Sequence, residues 1–450
     1  MRILFIFRRD FRSIDNIGLN SCKNHEIYPV FIFTPEQIEN KNKYKSDNCV
    51  QFMIESLIEL KKHINITFCY GHLEEVIEDI VKKNKIDSIR CNTDYTPYAI
   101  KREKRMETLA KRLNVEFIYY HDILLFEPSS IRNQSGSFYQ KYTPFYNYVI
   151  KQKVLEPTKN KSFNIKKIDS KYMIESSKLH DFYTKNEGIS VHGGRSNAIL
   201  VLKNVKTFSS YNATRNYLHI DTTKLSAYLK FGCISIRECF YAMKKIGGIK
   251  SDLIRQLIWR EFYYHLGYGF TERFGNSLKP KYDNIKWEND MIKFKAWCNG
   301  KTGYPIIDSC MVQLNTLGWM HNRGRLIVAS FLIKNLQVDW RYGEKYFAQK
   351  LVDYDPLVNQ GNWQWVAGSG ADSQPYFRVF NPWLQSAKFD KDAIYIKKWI
   401  PQLNEVEPKH LHQWDKYNEL YDIKKLSYYK PIVDYSKSKK EGLARYAKYL

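Results

Sequence analysis

Ile3-Leu4-Phe5-Ile6-Phe7, closed by Arg8-Arg9-Asp10, is a five-residue apolar run stopped by charge. Its length and β-branched and aromatic content read as a short buried strand. Four similar runs follow, at Tyr28–Phe33, Ile66–Tyr70, Ser88–Cys91 and Val115–Tyr120. Amphipathic stretches lie between them, at Val50–His63, Leu73–Lys83 and Ile100–Leu113. Strands alternating with helices predict a Rossmann-like α/β domain over residues 1–125, with a parallel sheet and right-handed crossovers. Neither a G-x-G-x-x-G nor a P-loop motif occurs in it, so no nucleotide fingerprint marks this half as the main cofactor site.

Past that domain the character changes. Glu127-Pro128-Ser129-Ser130 and Asn133-Gln134-Ser135-Gly136 are turn-rich, and lysine runs follow. Residues 126–195 are expected to be a linker with a little local structure. Residues 196–450 are expected to form a larger all-α domain, with helical periodicity over Leu225–Lys245, Leu253–Gly267 and Cys310–Leu336. All ten tryptophans fall there, from Trp259 onward. So many indoles suit a large aromatic core or a site that stacks flat rings.

The chain has 450 residues, with 71 Lys plus Arg against 47 Asp plus Glu, a formal charge of +24. That excess suits a polyanionic partner such as nucleic acid, or a surface of solvated lysines. Aromatics at 15% in periodic segments argue against intrinsic disorder. No apolar run approaches the ~20 residues of a membrane span, and the opening run is too short for a signal peptide. The eight cysteines include no C-x-x-C pair and no zinc spacing, so they are expected to be reduced thiols in a soluble intracellular protein, with no metal. Cytoplasm and nucleus are equally open.

Four constellations could carry chemistry. In Asp353-Tyr354-Asp355-Pro356-Leu357-Val358-Asn359-Gln360-Gly361-Asn362-Trp363-Gln364-Trp365, short polar groups could bond a heterocycle and indoles could stack or pass electrons. A capped turn before packed indoles is the bland alternative. In Gly318–Arg325, Arg323 and Arg325 could reach a phosphate and a carboxylate, or form a solvated basic turn. Gln256, Trp259, Arg260 and Tyr263 share one helix face, suiting base recognition or an amphipathic boundary. Thr222-Thr223-Lys224-Leu225-Ser226 opens a helix, as an anion site or a plain cap.

Together these segments resemble the photolyase/cryptochrome flavoprotein family. The likeness runs through Phe7–Arg12, Asn92–Tyr98 and Tyr142–Phe145. It is strongest in Leu257–Tyr263, Gly300–Asp308, Gly318–Arg325 and Asn359–Trp365, and ends with Tyr376–Pro382, Lys388–Asp390 and Pro431–Asp434. It implies FAD in the helical domain and light-driven electron transfer that splits a pyrimidine dimer flipped out of UV-damaged DNA. A blue-light receptor without repair activity is the alternative. The resemblance places Tyr211, Thr222, Thr223, Leu225 and Ser226 at the FAD diphosphate. It pairs Arg325 with Asp353 near the ring, puts Asp355 on the ring's imide edge and faces Asn359 to N5. It makes Trp363, Trp340 and Trp297 the electron-carrying indoles. Gln256, Trp259, Asn322, Arg323, Leu326, Trp365 and Arg378 would meet the lesion or its DNA.

The resemblance is nearest to class I cyclobutane-dimer photolyases. The branch acting on (6-4) products uses two His where this chain has Asn322 and Leu326. Class I enzymes carry Glu at Gln256 and often Met at Leu326. An amide there donates hydrogen bonds but shares no proton. Tyr98 and Ala99 replace an Asn-Glu pair of folate-binding members, which weakens folate as antenna. A deazaflavin, a second flavin or no antenna fits as well. A short Lys-rich tail after Asp434 favours repair over signalling, and a monomer is expected.

Overall fold

The computed structural model describes residues 1–159 and 162–449. Five parallel strands, β1 (Arg2–Ile6), β2 (Glu26–Phe33), β3 (Thr67–Tyr70), β4 (Ser88–Asn92) and β5 (Glu116–Tyr120), lie in the order β3-β2-β1-β4-β5. This is the doubly wound arrangement the alternating pattern predicts. Odd and even positions of β1 enter different cores. Ile3, Phe5 and Phe7 pack with the helix Asp47–Ile64, whereas Leu4 and Ile6 pack with Val76, Ile80 and Met106. A sheet covered on both faces needs apolar residues at every position, which explains the uninterrupted runs.

The connecting segment is more structured than a linker. It contains a helix over Tyr142–Val149 and a short strand, β6 (Asn164–Ile165), which pairs with the start of β2. Ile131, Tyr142, Phe145, Val149, Leu179 and Val191 are buried in the same core as β1 and the helix Asp252–Gly269. Their apolar surface is scattered among turn signals, so periodicity does not reveal it.

The helical half breaks where glycine allows a sharp turn. The stretch expected as one helix over Leu225–Lys245 is two, Ser226–Lys230 and Ile236–Gly247. Gly232 lies between them at φ 61°, and a Cβ there would come within 2.3 Å of the Arg9 carbonyl oxygen. Ser235 then starts the second helix with a capping box to Glu238. Likewise Cys310–Leu336 divides into Pro305–Leu317, Asn322–Ser330 and a π-helical turn over Phe331–Asn335. A second core encloses Trp297, Trp340, Trp363, Trp383 and Trp414.

Ion pairs lock the two halves together. Asp122, beyond β5, is fully buried between Arg12 and Arg237, and Arg237 also reaches Asp15 at 2.9 Å. Burial alone would raise Asp122, but the two guanidinium groups hold it below the usual carboxylate range. All eight cysteines are free, and seven are buried. Among the described residues no helix is long and apolar enough to cross a membrane.

Candidate functional site

The helix Pro356–Ala367 carries the densest polar segment. Asp355 caps it by accepting the Leu357 and Val358 N–H groups, proline occupies its first turn, and Gly368 ends it in the left-handed region. It lies close against Asp252–Gly269, because a Cβ at Gly361 would sit 2.2 Å from the Tyr263 ring. One turn in, Asn359 donates its amide N–H to the Glu344 carboxylate at 3.0 Å and to the Glu344 carbonyl at 3.1 Å. The amide oxygen has no partner among the described residues and is therefore the atom Asn359 presents. Glu344 is buried, and burial lifts its carboxyl to about 7 against the hydrogen bonds from Asn359 and Tyr354. Sequence reading passes over Glu344, which sits in an ordinary-looking helix, Trp340–Lys350.

Arg325 and Asp353 pair as expected, at 3.0 Å, and Ser226 donates its hydroxyl to the same carboxylate at 2.6 Å. Thr222 and Thr223 lie half-buried in the irregular stretch before Ser226, and Tyr211 is half-buried on the short helix Tyr211–Thr214. No side chain caps the helix Ser226–Lys230. Arg323 bonds Asn216 at 2.6 Å and lies over Phe389, yet its buried Nε has no partner among the described residues. Burial and Arg215 hold its pKa below the ordinary value. His321 accepts the Arg323 N–H at Nδ1, while its buried Nε2 also has no partner among the described residues. Burial, with Arg323 and Arg325 nearby, pushes its pKa down to about 4. Unsatisfied buried donors among cations fit an anionic group such as a diphosphate.

The predicted base-recognition face is partly reassigned. Gln256 and Trp259 are half-buried, and Tyr263 is buried beneath Gly361. Arg260 turns away, donating to the Ile123 carbonyl at 2.9 Å. Its neighbour Glu261, which the sequence gives no reason to single out, is fully buried and accepts the Leu125 and Phe126 N–H groups. Asn322 and Arg378 are exposed, and Leu326 and Trp365 are half-buried against the second core.

Two expectations are corrected. The Asp355 carboxylate is saturated by two helix N–H groups, Arg9 at 2.5 Å and the Tyr264 hydroxyl. A carboxylate has about four acceptor directions, so none remains for a ring imide. Its side chain joins the α/β domain to the helical one instead. Trp297 is fully enclosed, its N–H donating to the Val328 carbonyl and its ring 6.3 Å from Trp363. Trp340 and Trp363 are each only 2% exposed, so the three expected indoles include none at the surface. Trp287, which sequence reading missed, is half-buried. The residues after it bond the strand of chain leading into Trp340: the Glu288 N–H donates to the Gln337 carbonyl, and Asn289 accepts from the Asp339 N–H.

Residues 3–162 match the DNA photolyase family and residues 253–448 match the FAD binding domain of DNA photolyase. A deoxyribodipyrimidine photo-lyase of Buchnera aphidicola is 37% identical, across 98% of this chain and 96% of its own. The chain belongs to the DNA photolyase family. Among solved photolyases, the archaeal one from Sulfolobus tokodaii with two FAD molecules is 38% identical, with a TM-score of 0.90 over all of both chains. A Synechocystis cryptochrome shares the fold at 25% identity and a TM-score of 0.90, covering 98% of each chain. The photolyase helical domain binds FAD, and the unpaired donors of His321 and Arg323 and the free oxygen of Asn359 fit such a cofactor.

Proposed function

We propose that this photolyase splits cyclobutane pyrimidine dimers in UV-damaged DNA under blue or near-UV light. The observation that carries the reading is the Asn359 amide, whose N–H group is taken up by Glu344 so that its oxygen is left without a partner among the described residues. Reduced FAD, when bound and excited, supplies the electron that opens the dimer and takes it back.

The chain's own residues do the rest. Asn359 offers an acceptor that does not titrate, so it holds a ring N–H without competing for the proton. Arg325 and Asp353 orient one another, and His321, Thr222, Thr223, Leu225 and Tyr211 surround the anionic side of the cofactor; Arg323, expected at the DNA, is assigned to that side as well, because its guanidinium is held against Asn216 and Phe389. Trp259 and Trp365 supply indole faces for the flipped dimer, with Gln256, Asn322 and Leu326 beside it and the exposed Arg378 on the DNA backbone. Trp363 and Trp340 lead outward, and Trp287 serves as the surface end of the path. Amide and isobutyl groups at Asn322 and Leu326, in place of imidazoles, support cyclobutane over (6-4) chemistry.

An antenna belongs to the α/β domain. Ala99 is buried and offers no carboxylate to a folate, so a flavin is the first candidate, as in the Sulfolobus protein. We expect a monomer, read out by light scattering. The deciding experiment photoreduces the protein without oxygen and adds oligonucleotides carrying either a cyclobutane thymine dimer or a (6-4) product. Restoration of the cyclobutane substrate in light and not in darkness is expected. No restoration with flavin bound and reduced would favour the blue-light receptor.

A further inference from the structure

The connector between the domains reaches the lesion wall. Tyr142 lies against Trp259 with ring centroids 3.7 Å apart and planes inclined by 2°. No other aromatic pair in the described residues is as close or as parallel. Tyr142 is itself fixed. It is only 6% exposed, its hydroxyl donates to the Arg255 carbonyl at 3.0 Å, and the edge of Phe262 meets it at 5.8 Å. Arg255 stands one helical turn before Trp259, so Tyr142 spans a turn of the helix Asp252–Gly269 from a carbonyl to an indole. Trp259 itself is only half-buried. Two residues before Tyr142, the Gln140 carbonyl accepts the Asp372 N–H at 3.0 Å. That ties the same stretch to the loop leading to Arg378.

We propose that Tyr142 is a positioning residue for lesion recognition, holding the Trp259 indole flat so that its open face meets the dimer without first being ordered. The inference rests on the reading of Trp259 as a lesion-facing indole. An indole fixed before binding loses less rotamer freedom on stacking than a free one. The connector therefore belongs to the DNA-binding site as well as to the domain junction.

The test compares holoenzyme affinities for a duplex carrying one thymine dimer and for the same duplex undamaged. Tyr142→Leu should lower the damaged-to-undamaged preference about two- to tenfold, the range of an aromatic pair. Tyr142→Phe keeps the stack and should restore most of it. The loss should fall on affinity, with dimers split per absorbed photon unchanged at saturating DNA. A merely structural role would lower both affinities together and the thermal midpoint with them. Trp259→Leu separates the two readings. If it leaves the preference intact, the assignment of Trp259 fails. If it abolishes the preference while Tyr142→Leu does not, only the present inference is overturned. Should Tyr142→Leu not retain flavin, Tyr142→His, with a smaller flat ring, should show an intermediate loss, and no loss would overturn the proposal.

Discussion

Glu344→Gln separates the orienting role of Glu344 from its cost. The amide keeps the shape and an acceptor for Asn359 but cannot titrate. Burial raises the Glu344 carboxyl from its ordinary 4.5 to about 7, so ionising it in the folded protein costs about 3 kcal/mol. Below pH 4.5 the folded and unfolded chains both hold the proton, and the carboxyl costs nothing. Between pH 4.5 and 7 only the unfolded chain loses it, so folded stability declines. Above pH 7 the cost is constant. The stability of Glu344→Gln relative to the parent should therefore climb by about 3 kcal/mol between pH 4.5 and 8. Other shifted groups, such as Glu261 and Asp122, are shared by both proteins and cancel. Denaturant unfolding of FAD-saturated protein across that range measures the difference. A flat difference would refute burial as the source of the shift. Flavin spectra should stay close to the parent's, because the Glu344 carbonyl still holds Asn359.

Trp287→Phe should reduce steady-state photoreduction by an external thiol to near background, whereas Trp297→Phe should leave most of it; repair by chemically reduced enzyme should survive both. Arg378→Ala should lower the salt slope of DNA binding by about one contact. Arg323→Ala should instead weaken FAD retention, measured by flavin release, because that guanidinium is engaged with Asn216 and Phe389. Asp122→Asn leaves Arg12 without its carboxylate and Arg237 with Asp15 alone, and should cost about 3 kcal/mol at neutral pH. Its folded pKa is depressed, so the difference from the parent should shrink as pH falls through the carboxylate range, as seen by thermal unfolding. Gln256→Glu should raise the quantum yield of dimer splitting or leave it similar; a collapse would remove Gln256 from the lesion site.

The strands of the α/β domain were legible because burial on both faces demands continuous apolar runs, and the observed bounds differ from the expected ones by one or two residues. Arg325 with Asp353 was legible through its motif. The split at Gly232 was not, because only the approach of the Arg9 backbone makes that glycine a turn. Asp355 shows the limit of a motif: the resemblance marks the residue, but Arg9, some 350 positions earlier, claims its oxygens. Trp297 and Trp287 look equivalent in a row of letters, and only their enclosure distinguishes them.

By itself, then, the sequence determined the alternating sheet, the helical partner domain and the family. These follow from local periodicity and from motifs whose spacing is short. Tertiary structure decided which way the Asn359 amide points, which indole reaches the surface, where Asp355 spends its charge and that the connector backs Trp259. Each of those depends on a neighbour distant in sequence, because a hydrogen bond or a ring stack is set by proximity in space, which the order of residues does not encode locally.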